Sequence, residues 1–303
     1  MAILDTPDLL RQWTIANPLS VKTIPQRNKI LMLHPQHYKI SYAINPHMRL
    51  PDGKLKQVDS SKATEQWKKL VKSLENCGLE VEIMDSQAKF PDMVFAANQS
   101  FVYWNLNTNR PEVLLSNMKH SERQGEIPYF EEYFNAHDYK IHKIPQELSF
   151  EGTGDASIDI ERKVIFAGYG MRSHPSTPSR LCELTGYPVV PLELKNTDYY
   201  HLDTCFAPLG PRDVVIADDA FSDEGLDLIY AAFENVIHAD HIEAKESLAA
   251  NLFCPNGKDV IIEEQNTRLI QRLSGLGYNV HPVDTSEFIK SGGSVFCLKL
   301  FLW

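Results

Sequence analysis

This chain of 303 residues lacks the closely spaced cysteine pairs that mark disulfide-rich or zinc-binding proteins. It has five cysteines, an odd number, and no Cys-x-x-Cys motif, which argues against a disulfide framework and against the common structural zinc sites. Reduced thiols are typical of the cytosol, so the composition predicts a cytoplasmic protein. The sequence also predicts no cofactor and no metal, because His34 and His37 have no third metal ligand near them. The cysteines are Cys77, Cys182, Cys205, Cys254 and Cys297.

Long apolar runs and an excess of positive charge are missing as well. No apolar run approaches the ~20 residues that a bilayer-spanning helix needs. The first residues include Asp5, Asp8 and Arg11, where a signal peptide has a basic start and then an apolar stretch. The formal net charge of -10 argues against nucleic acid or an anionic membrane as the main partner. It is compatible with a small cationic substrate.

Low-complexity stretches and Gly/Ser-rich linkers are absent, so we expect residues 1–303 to form a single domain. What the chain does contain is a repeated pattern, in which an amphipathic helix is followed by a short strand. Five such passes begin near residues 62, 128, 178, 223 and 267. The predicted helices are Lys62–Cys77, Pro128–His137, Pro178–Thr185, Asp223–Phe233 and Thr267–Leu276. The predicted strands are Leu79–Met84, Asp92–Tyr103, Tyr139–Ile144, Tyr187–Leu194, Val236–Ala239 and Asn279–Val283, with a hairpin over Asp155–Ala167.

Polar residues recur at one position of this repeat. Each lies at the start or edge of the strand that follows a helix–strand pass, at intervals of 59, 50, 50 and 46 residues. A nearly constant interval predicts a ring of similar units, each of which points one polar group at a shared axis. These residues are Asp92, Glu151, His201, Asn251 and Cys297.

Three of these positions supply a carboxylate, an imidazole and a thiol. Glu151, His201 and Cys297 are the parts of a thiol nucleophile with an acid/base partner and an orienting group. Gly292 and Gly293 precede the cysteine and permit close approach of a ligand to the backbone. Each residue also has a simpler interpretation, because a buried cysteine is usually a small hydrophobic side chain and histidines are common in turns.

Further polar residues flank these positions. Asp92 and Asn98 are six residues apart, which places both on the same side of the predicted strand, and a planar cation would satisfy them. Asp203 follows His201 at the same strand-like spacing. Arg123 and Arg172 are candidates for binding a carboxylate through paired hydrogen bonds, although surface charge is the simpler interpretation of each arginine alone.

Taken together, four motifs resemble the guanidine-modifying, or amidinotransferase, superfamily over residues 30–300. The resemblance implies an α/β fold called the pentein, a five-bladed α/β propeller with pseudo-fivefold ββαβ modules around a central pocket. This fold agrees with the five passes read from the pattern. The motifs are Pro91-Asp92-Met93-Val94-Phe95, Phe150-Glu151-Gly152-x-Gly154-Asp155, His201-Leu202-Asp203 and Gly293-Ser294-x-x-Cys297.

The resemblance also implies roles for the candidate residues and no cofactor. Cys297 would be the nucleophile and His201 the general acid/base, while Glu151 would bind the guanidinium group and partner the histidine. Asp92 and Asp203 would contact the guanidinium group as well. Arg123 and Arg172 would hold the α-carboxylate of the substrate.

Two positions separate the subfamilies. Asp203 is present here and in deiminases, whereas dimethylargininases tend to lack it, and Asn98 stands where deiminases and dimethylargininases have an aspartate. Together with Ile44-Asn45-Pro46 upstream, Asn98 resembles the arginine dihydrolases, which implies that Asn98 is catalytic and that Asn45 binds substrate. Such enzymes convert free arginine to ornithine, ammonia and carbon dioxide through an S-alkyl-thiouronium on the cysteine. One alternative is an arginine deiminase or a dimethylargininase, which stops at citrulline. An alternative of another class is an inactive pentein that serves as a binding protein. The sequence leaves open whether the protein forms a homo-oligomer.

Overall fold

The structure is a computed structural model that describes residues 2–18 and 24–303. Helices and strands alternate along most of it, joined by short 3₁₀ turns. The helices are α1 Pro7–Ala16, α2 Ser60–Asn76, α3 Ser121–Gln124, α4 Ile127–Ala136, α5 Gly152–Asp155, α6 Thr177–Thr185, α7 Asp223–Ala232, α8 His241–Glu246, α9 Thr267–Gly275 and α10 Ser286–Ile289. The strands are β1 Lys29–Leu33, β2 Glu80–Met84, β3 Ser100–Asn105, β4 Arg110–Leu115, β5 Lys140–Lys143, β6 Ala156–Asp159, β7 Val164–Tyr169, β8 Val189–Glu193, β9 Phe206–Pro208, β10 Asp213–Ile216, β11 Asn235–His238, β12 Asp259–Glu263, β13 Asn279–Val283 and β14 Leu300–Leu302.

The described strands form five small sheets that repeat one design. In four of them the central strand pairs antiparallel with one neighbour and parallel with the other. We call the antiparallel neighbour the inner strand; the inner strands are β14, β3, β6 and β9. In the fifth sheet, the antiparallel bridge between Phe253 and Ile261 takes the place of the inner strand. The five-bladed α/β arrangement predicted from the sequence is therefore confirmed. The sheets are β14–β1–β2, β3–β4–β5, β6–β7–β8, β9–β10–β11 and β12–β13.

The first sheet is built from both ends of the chain. Strand β14 pairs antiparallel with β1, with Lys29 opposite Leu302 and Ile30 opposite Phe301. The C-terminal segment thereby closes the ring of modules. Closure also fixes the segment just before β14, which carries Cys297, against residues contributed by distant parts of the chain.

Helix α2 shows why the repeated helices form where they do. Asp59 caps its first turn by accepting from the backbone N–H groups of Ser61 and Lys62. Leu70 and Leu74 are fully buried, and their spacing places them on one helical face. Burying each such side chain contributes roughly 1.5–3 kcal/mol. Gly78, which has a φ of +84°, follows the end of the helix as the pattern predicts.

The structure differs from the predicted strand over Asp92–Tyr103. Residues Pro91–Val94 form a 3₁₀ turn, and the strand begins only at Ser100. The reason is that the intervening backbone joins neighbouring modules, since the Ala97 N–H donates to the Cys297 carbonyl and the Ala97 carbonyl accepts from the Gly154 N–H. The prediction that Asp92 and Asn98 share one strand face is therefore wrong.

A second difference concerns the segment after His201. Leu202–Thr204 is a 3₁₀ turn and not a strand, so strand alternation does not place His201 and Asp203 on the same side. The five predicted helices and the strands that follow them are confirmed, with ends that shift by at most two residues. Within residues 2–18 and 24–303, no helix combines the length and hydrophobicity that a membrane crossing needs.

Candidate active site

The segment that leads into each inner strand carries polar side chains toward one cavity. Each of these residues lies one to three positions before the strand or bridge that begins its module's inner edge. Asp92, Glu151 and His201, which the pattern placed at the start or edge of a strand, instead lie eight, five and five positions before it. The interval of roughly fifty residues found in the sequence corresponds to the length of one module. The residues are Asn98 before β3, Asp155 before β6, Asp203 before β9, Asn251 before Phe253 and Cys297 before β14.

The cavity is narrow, with an open volume of about 10 Å³, room for roughly one water molecule. Six of the nine predicted site residues line it, namely Asn45, Asp92, Asn98, Arg123, Arg172 and Cys297. The other three, Glu151, His201 and Asp203, are hydrogen-bonded to residues of this lining. The structure thus brings together all nine side chains that the sequence singles out.

Cys297 lies at the inner end of the cavity and is only 2% exposed. Its Sγ is 3.1 Å from Asp203 Oδ2 and 3.1 Å from Asn251 Nδ2. Burial raises the pKa of the thiol well above its ordinary value, and the negative charge of Asp203 acts in the same direction. Burial likewise raises the pKa of Asp203 to about 7, although its hydrogen bond with Cys297 opposes this shift. The resting site therefore favours a thiol over a thiolate.

Asn251 holds the loop that carries the cysteine. Its side-chain oxygen accepts from the backbone N–H groups of Ser294, Phe296 and Cys297 at 3.1, 3.1 and 3.3 Å. Its amide nitrogen donates to the Asp203 carbonyl at 2.7 Å. The sequence pattern placed Asn251 among the recurring polar positions but gave it no role, because its partners are backbone groups that no motif reveals.

Glu151 connects the imidazole to an arginine. Its Oε2 lies 2.6 Å from His201 Nε2 and 3.1 Å from Arg172 Nη1, while its Oε1 accepts from the Lys119 backbone N–H at 3.1 Å. Burial alone raises the pKa of this carboxyl, but the Arg172 charge and the hydrogen bond to His201 outweigh it and hold the pKa below its ordinary value. Glu151 is therefore a charged partner that orients His201.

Asp155 holds the backbone turn that follows His201. It is buried, and its carboxylate accepts from the Leu202 backbone N–H at 3.1 Å and from the Ser173 hydroxyl at 2.7 Å. Burial raises the pKa of Asp155 to about 6. The motif Phe150-Glu151-Gly152-x-Gly154-Asp155 contains this residue, but nothing in the motif indicates that its side chain fixes the turn after His201.

Asn98 lies between the imidazole and Arg123. Its Oδ1 accepts from Arg123 Nη1 at 2.8 Å, which leaves Nδ2 directed at His201 Nδ1 at 3.5 Å. Gly154 packs against this amide so closely that a Cβ there would clash with Asn98 Nδ2. The amide orientation is thus fixed by an arginine on one side and by a glycine on the other.

The two arginines differ in how many donors remain for a ligand. Arg123 donates to Glu126 through Nε and Nη2, to Asn98 through Nη1 and to the Asp92 carbonyl through Nη2. Arg172 donates only to Glu151 and to the Ile44 carbonyl among the described residues. Because a guanidinium group has five N–H donors, Arg172 retains more of them for a carboxylate. Glu126 is fully buried and is not among the residues predicted from the sequence, because its role follows only from its pairing with Arg123.

Metal ligands do not gather at the cavity. In the described part of the chain, two groups of three His, Cys, Asp or Glu side chains come close enough to share an ion, and neither contains a cavity residue. A larger cavity of about 340 Å³ is lined by the inner strands themselves and contains none of the nine predicted residues. The chemistry of the site therefore depends on the thiol, the imidazole and the charged groups around them.

Comparison with known proteins decides the family. A family model described as "N,N dimethylarginine dimethylhydrolase, eukaryotic" matches residues 35–301. The chain belongs to this family. The resemblance found in the sequence is thereby confirmed, and the members named by activity are C–N hydrolases that act on guanidino groups.

Several relatives of this family member align over most of its length. It is 36% identical over 278 residues to the bifunctional arginine dihydrolase/ornithine cyclodeaminase ArgZ of Synechocystis, covering 90% of this chain and 37% of that protein. An uncharacterised protein of Caenorhabditis elegans is 35% identical, covering 90% and 93% of the two chains. The dimethylarginine dimethylaminohydrolase of Mycobacterium tuberculosis is 28% identical, covering 91% and 86%. The chain therefore spans little more than a third of ArgZ.

Solved structures support the same fold. The N-terminal domain of ArgZ, crystallised as a cysteine-to-serine variant bound to substrate, superposes with a TM-score of 0.83 at 34% identity, covering 90% of this chain and 97% of that one. A dimethylarginine dimethylaminohydrolase adduct with S-methyl-L-thiocitrulline has a TM-score of 0.73 at 21% identity, covering 91% and 100%, which speaks for the fold alone. The pentein fold predicted from the motifs is confirmed.

Proposed function

We propose that the protein is an arginine dihydrolase, which hydrolyses the guanidino group of free arginine to ornithine, ammonia and carbon dioxide. The observation that carries this proposal is a buried thiol, hydrogen-bonded to Asp203, in a cavity where a neutral amide, Asn98, faces the imidazole. Similarity to ArgZ supports it. The N-terminal domain of ArgZ has also been crystallised, as an asparagine-to-serine variant, with a covalently bound reaction intermediate.

The cavity is suited to a cation with several N–H donors. Asp92 Oδ2 and Asp203 Oδ1 are buried and accept no hydrogen bond from the described residues. Buried carboxylate oxygens without a partner are costly, and a guanidinium group would supply donors to both. The remaining N–H groups of Arg172 are the counterpart for the α-carboxylate of the substrate, with the side-chain oxygen of Asn45 unpartnered nearby.

Binding of the cation prepares the nucleophile. In the resting site, the charge of Asp203 and the burial of Cys297 both favour the protonated thiol. A guanidinium group beside them neutralises the carboxylate and lowers the thiol pKa, because a nearby positive charge stabilises the thiolate. Cys297 gives its proton to His201, and the thiolate attacks the central carbon of the guanidinium group, whose positive charge the carboxylates hold in place.

His201 transfers the protons. It protonates the departing ammonia as the S-alkyl-thiouronium forms, and then deprotonates the water that attacks the same carbon. Glu151 stabilises the positive charge on the imidazole at a distance of 2.6 Å. Cleavage of the C–S bond gives citrulline and restores the cysteine. A second attack on the bound ureido carbon releases the second ammonia, and a further water releases carbon dioxide and leaves ornithine.

The neutral amide of Asn98 is what allows the second round. An aspartate at this position would add a negative charge, which favours the cationic guanidino group over the neutral ureido group. Asn98 instead places an amide, held by Arg123, against His201. Position 98 therefore adds no further charge that would disfavour the ureido group of citrulline.

A product assay tests the proposal. The purified protein is incubated with arginine, citrulline or asymmetric dimethylarginine, and citrulline, ornithine, ammonia and dimethylamine are quantified over time. We expect ornithine with two ammonia per arginine consumed. Citrulline as the sole end product would instead establish a deiminase, and dimethylamine released faster than ammonia would establish a dimethylargininase, as the family description suggests. No product from any substrate would favour the binding-protein alternative.

A further inference from the structure

A second group of reactive side chains lies away from the cavity, at the boundary between the first and fifth modules. Cys77 ends helix α2, Asp259 begins strand β12, and His281 lies in the middle of strand β13. One donor atom of each residue lies within 4.8 Å of the other two. We propose that these three residues bind a divalent transition metal ion of the zinc type.

The local fold builds this arrangement directly. Strands β12 and β13 run parallel, with Asp259 opposite Asn279 and Ile261 opposite His281. Strand alternation therefore places Asp259, Asn279 and His281 on one face of the sheet. Helix α2 packs on this sheet and ends at Cys77. The partial negative charge at the carboxyl end of a helix favours a cation at this point.

The donor set matches zinc more closely than other abundant divalent ions. A thiolate, an imidazole and a carboxylate are each zinc ligands in proteins, and open zinc sites have three protein ligands with water in the fourth position. Magnesium and calcium prefer oxygen ligands and do not use a thiolate. Binding converts the Cys77 thiol to a thiolate, releases its proton to solvent and involves no change of oxidation state.

Neighbouring amides orient the carboxylate. Asn256 Nδ2 donates to one oxygen of Asp259 at 2.7 Å, and Asn279 Nδ2 donates to the other at 3.2 Å. His281 Nε2 lies 2.9 Å from the same carboxylate. Among the described residues, the ion-pair partner of Asp259 is His281 itself and no lysine or arginine, so a metal ion would replace only the contact between two of its own ligands. Partners of this kind fix the geometry of metal ligands in known sites.

The three residues are 182 and 22 positions apart in the sequence, which explains why no metal motif is visible there. Their effect would be to join α2 of the first module to the sheet of the fifth, next to the point at which β14 closes the ring. Because the unfolded chain cannot hold the three ligands together, metal binding should stabilise the folded protein.

The test uses the Cys297→Ser variant, so that the thiol of the cavity cannot bind the metal. The variant is titrated with cobalt(II), which reports a thiolate ligand through an intense near-ultraviolet charge-transfer absorption. We expect one equivalent to bind and zinc to displace it. The absorption should disappear in Cys297→Ser/Cys77→Ser and persist in Cys297→Ser/Cys254→Ser. Cys254 is the matched control, since it is also half-buried and its Sγ donates to the Leu209 carbonyl.

Thermal unfolding gives a second measurement that does not depend on absorption. Zinc should raise the Tm of the Cys297→Ser protein by several degrees and leave that of Cys297→Ser/Cys77→Ser unchanged. His281→Gln, which leaves the thiol in place, should weaken cobalt binding by at least about tenfold. Absence of the charge-transfer absorption in the Cys297→Ser protein, or its full retention without Cys77 or without His281, would overturn the proposal.

Discussion

Replacement of Asn98 by aspartate should change the product of the reaction. The Oδ1 atom that accepts from Arg123 at 2.8 Å is retained, so the local fold should survive, while the amide facing His201 becomes a charged oxygen. Two unit charges about 4 Å apart interact by about 4 kcal/mol at an effective dielectric constant of about 20. This corresponds to a preference of up to about a thousandfold for the guanidinium group over the neutral ureido group.

The assay follows arginine consumption and measures citrulline and ornithine separately. Asn98→Asp should consume arginine and accumulate citrulline, with ornithine formation reduced by about two to three orders of magnitude. Asn107→Asp is the matched control, because it makes the same change of charge in an exposed turn between β3 and β4 and should still yield ornithine. Undiminished ornithine output from Asn98→Asp would refute the assigned role of Asn98.

Three further predictions concern charge, space and stability. With a pKa of about 7, Asp203 must lose its proton to bind the guanidinium group, so kcat/KM for arginine should rise with pH through about 7, and Asp203→Asn should abolish this rise. Gly154→Ala should lower kcat/KM, because its Cβ would displace the Asn98 amide that faces His201, whereas Gly275→Ala has open space and should not. Leu70→Ala, in the buried face of α2, should lower the free energy of unfolding by about 2–5 kcal/mol in chemical denaturation.

Helix and strand positions were largely predictable from the sequence because the repeated units follow simple periodicities. Leu70 and Leu74 recur at helical spacing, and Gly78 marks where the helix gives way to a strand. The recurrence of polar residues every fifty or so positions reflects the length of one module. Local pattern and global fold therefore agree in most of the chain.

The turns that carry the site were not predictable in the same way. Asp92 and Asn98 lie at strand-like spacing, yet the segment between them bonds to neighbouring modules and forms turns. The supporting roles of Asn251 and Asp155 depend on backbone N–H groups that are brought near only when the ring closes. The resemblance of the motifs identified the reacting groups, but the residues that hold those groups in position are found only from the tertiary contacts.

The most direct test of the account is to capture the covalent intermediate on Cys297. The protein is mixed with excess arginine, quenched in acid during turnover and analysed by intact-mass and peptide mass spectrometry. We expect a mass increase equal to arginine minus ammonia, confined to the peptide that contains Cys297 and absent from Cys297→Ser. Product formation with the adduct on another cysteine, or turnover that survives Cys297→Ser, would contradict the account.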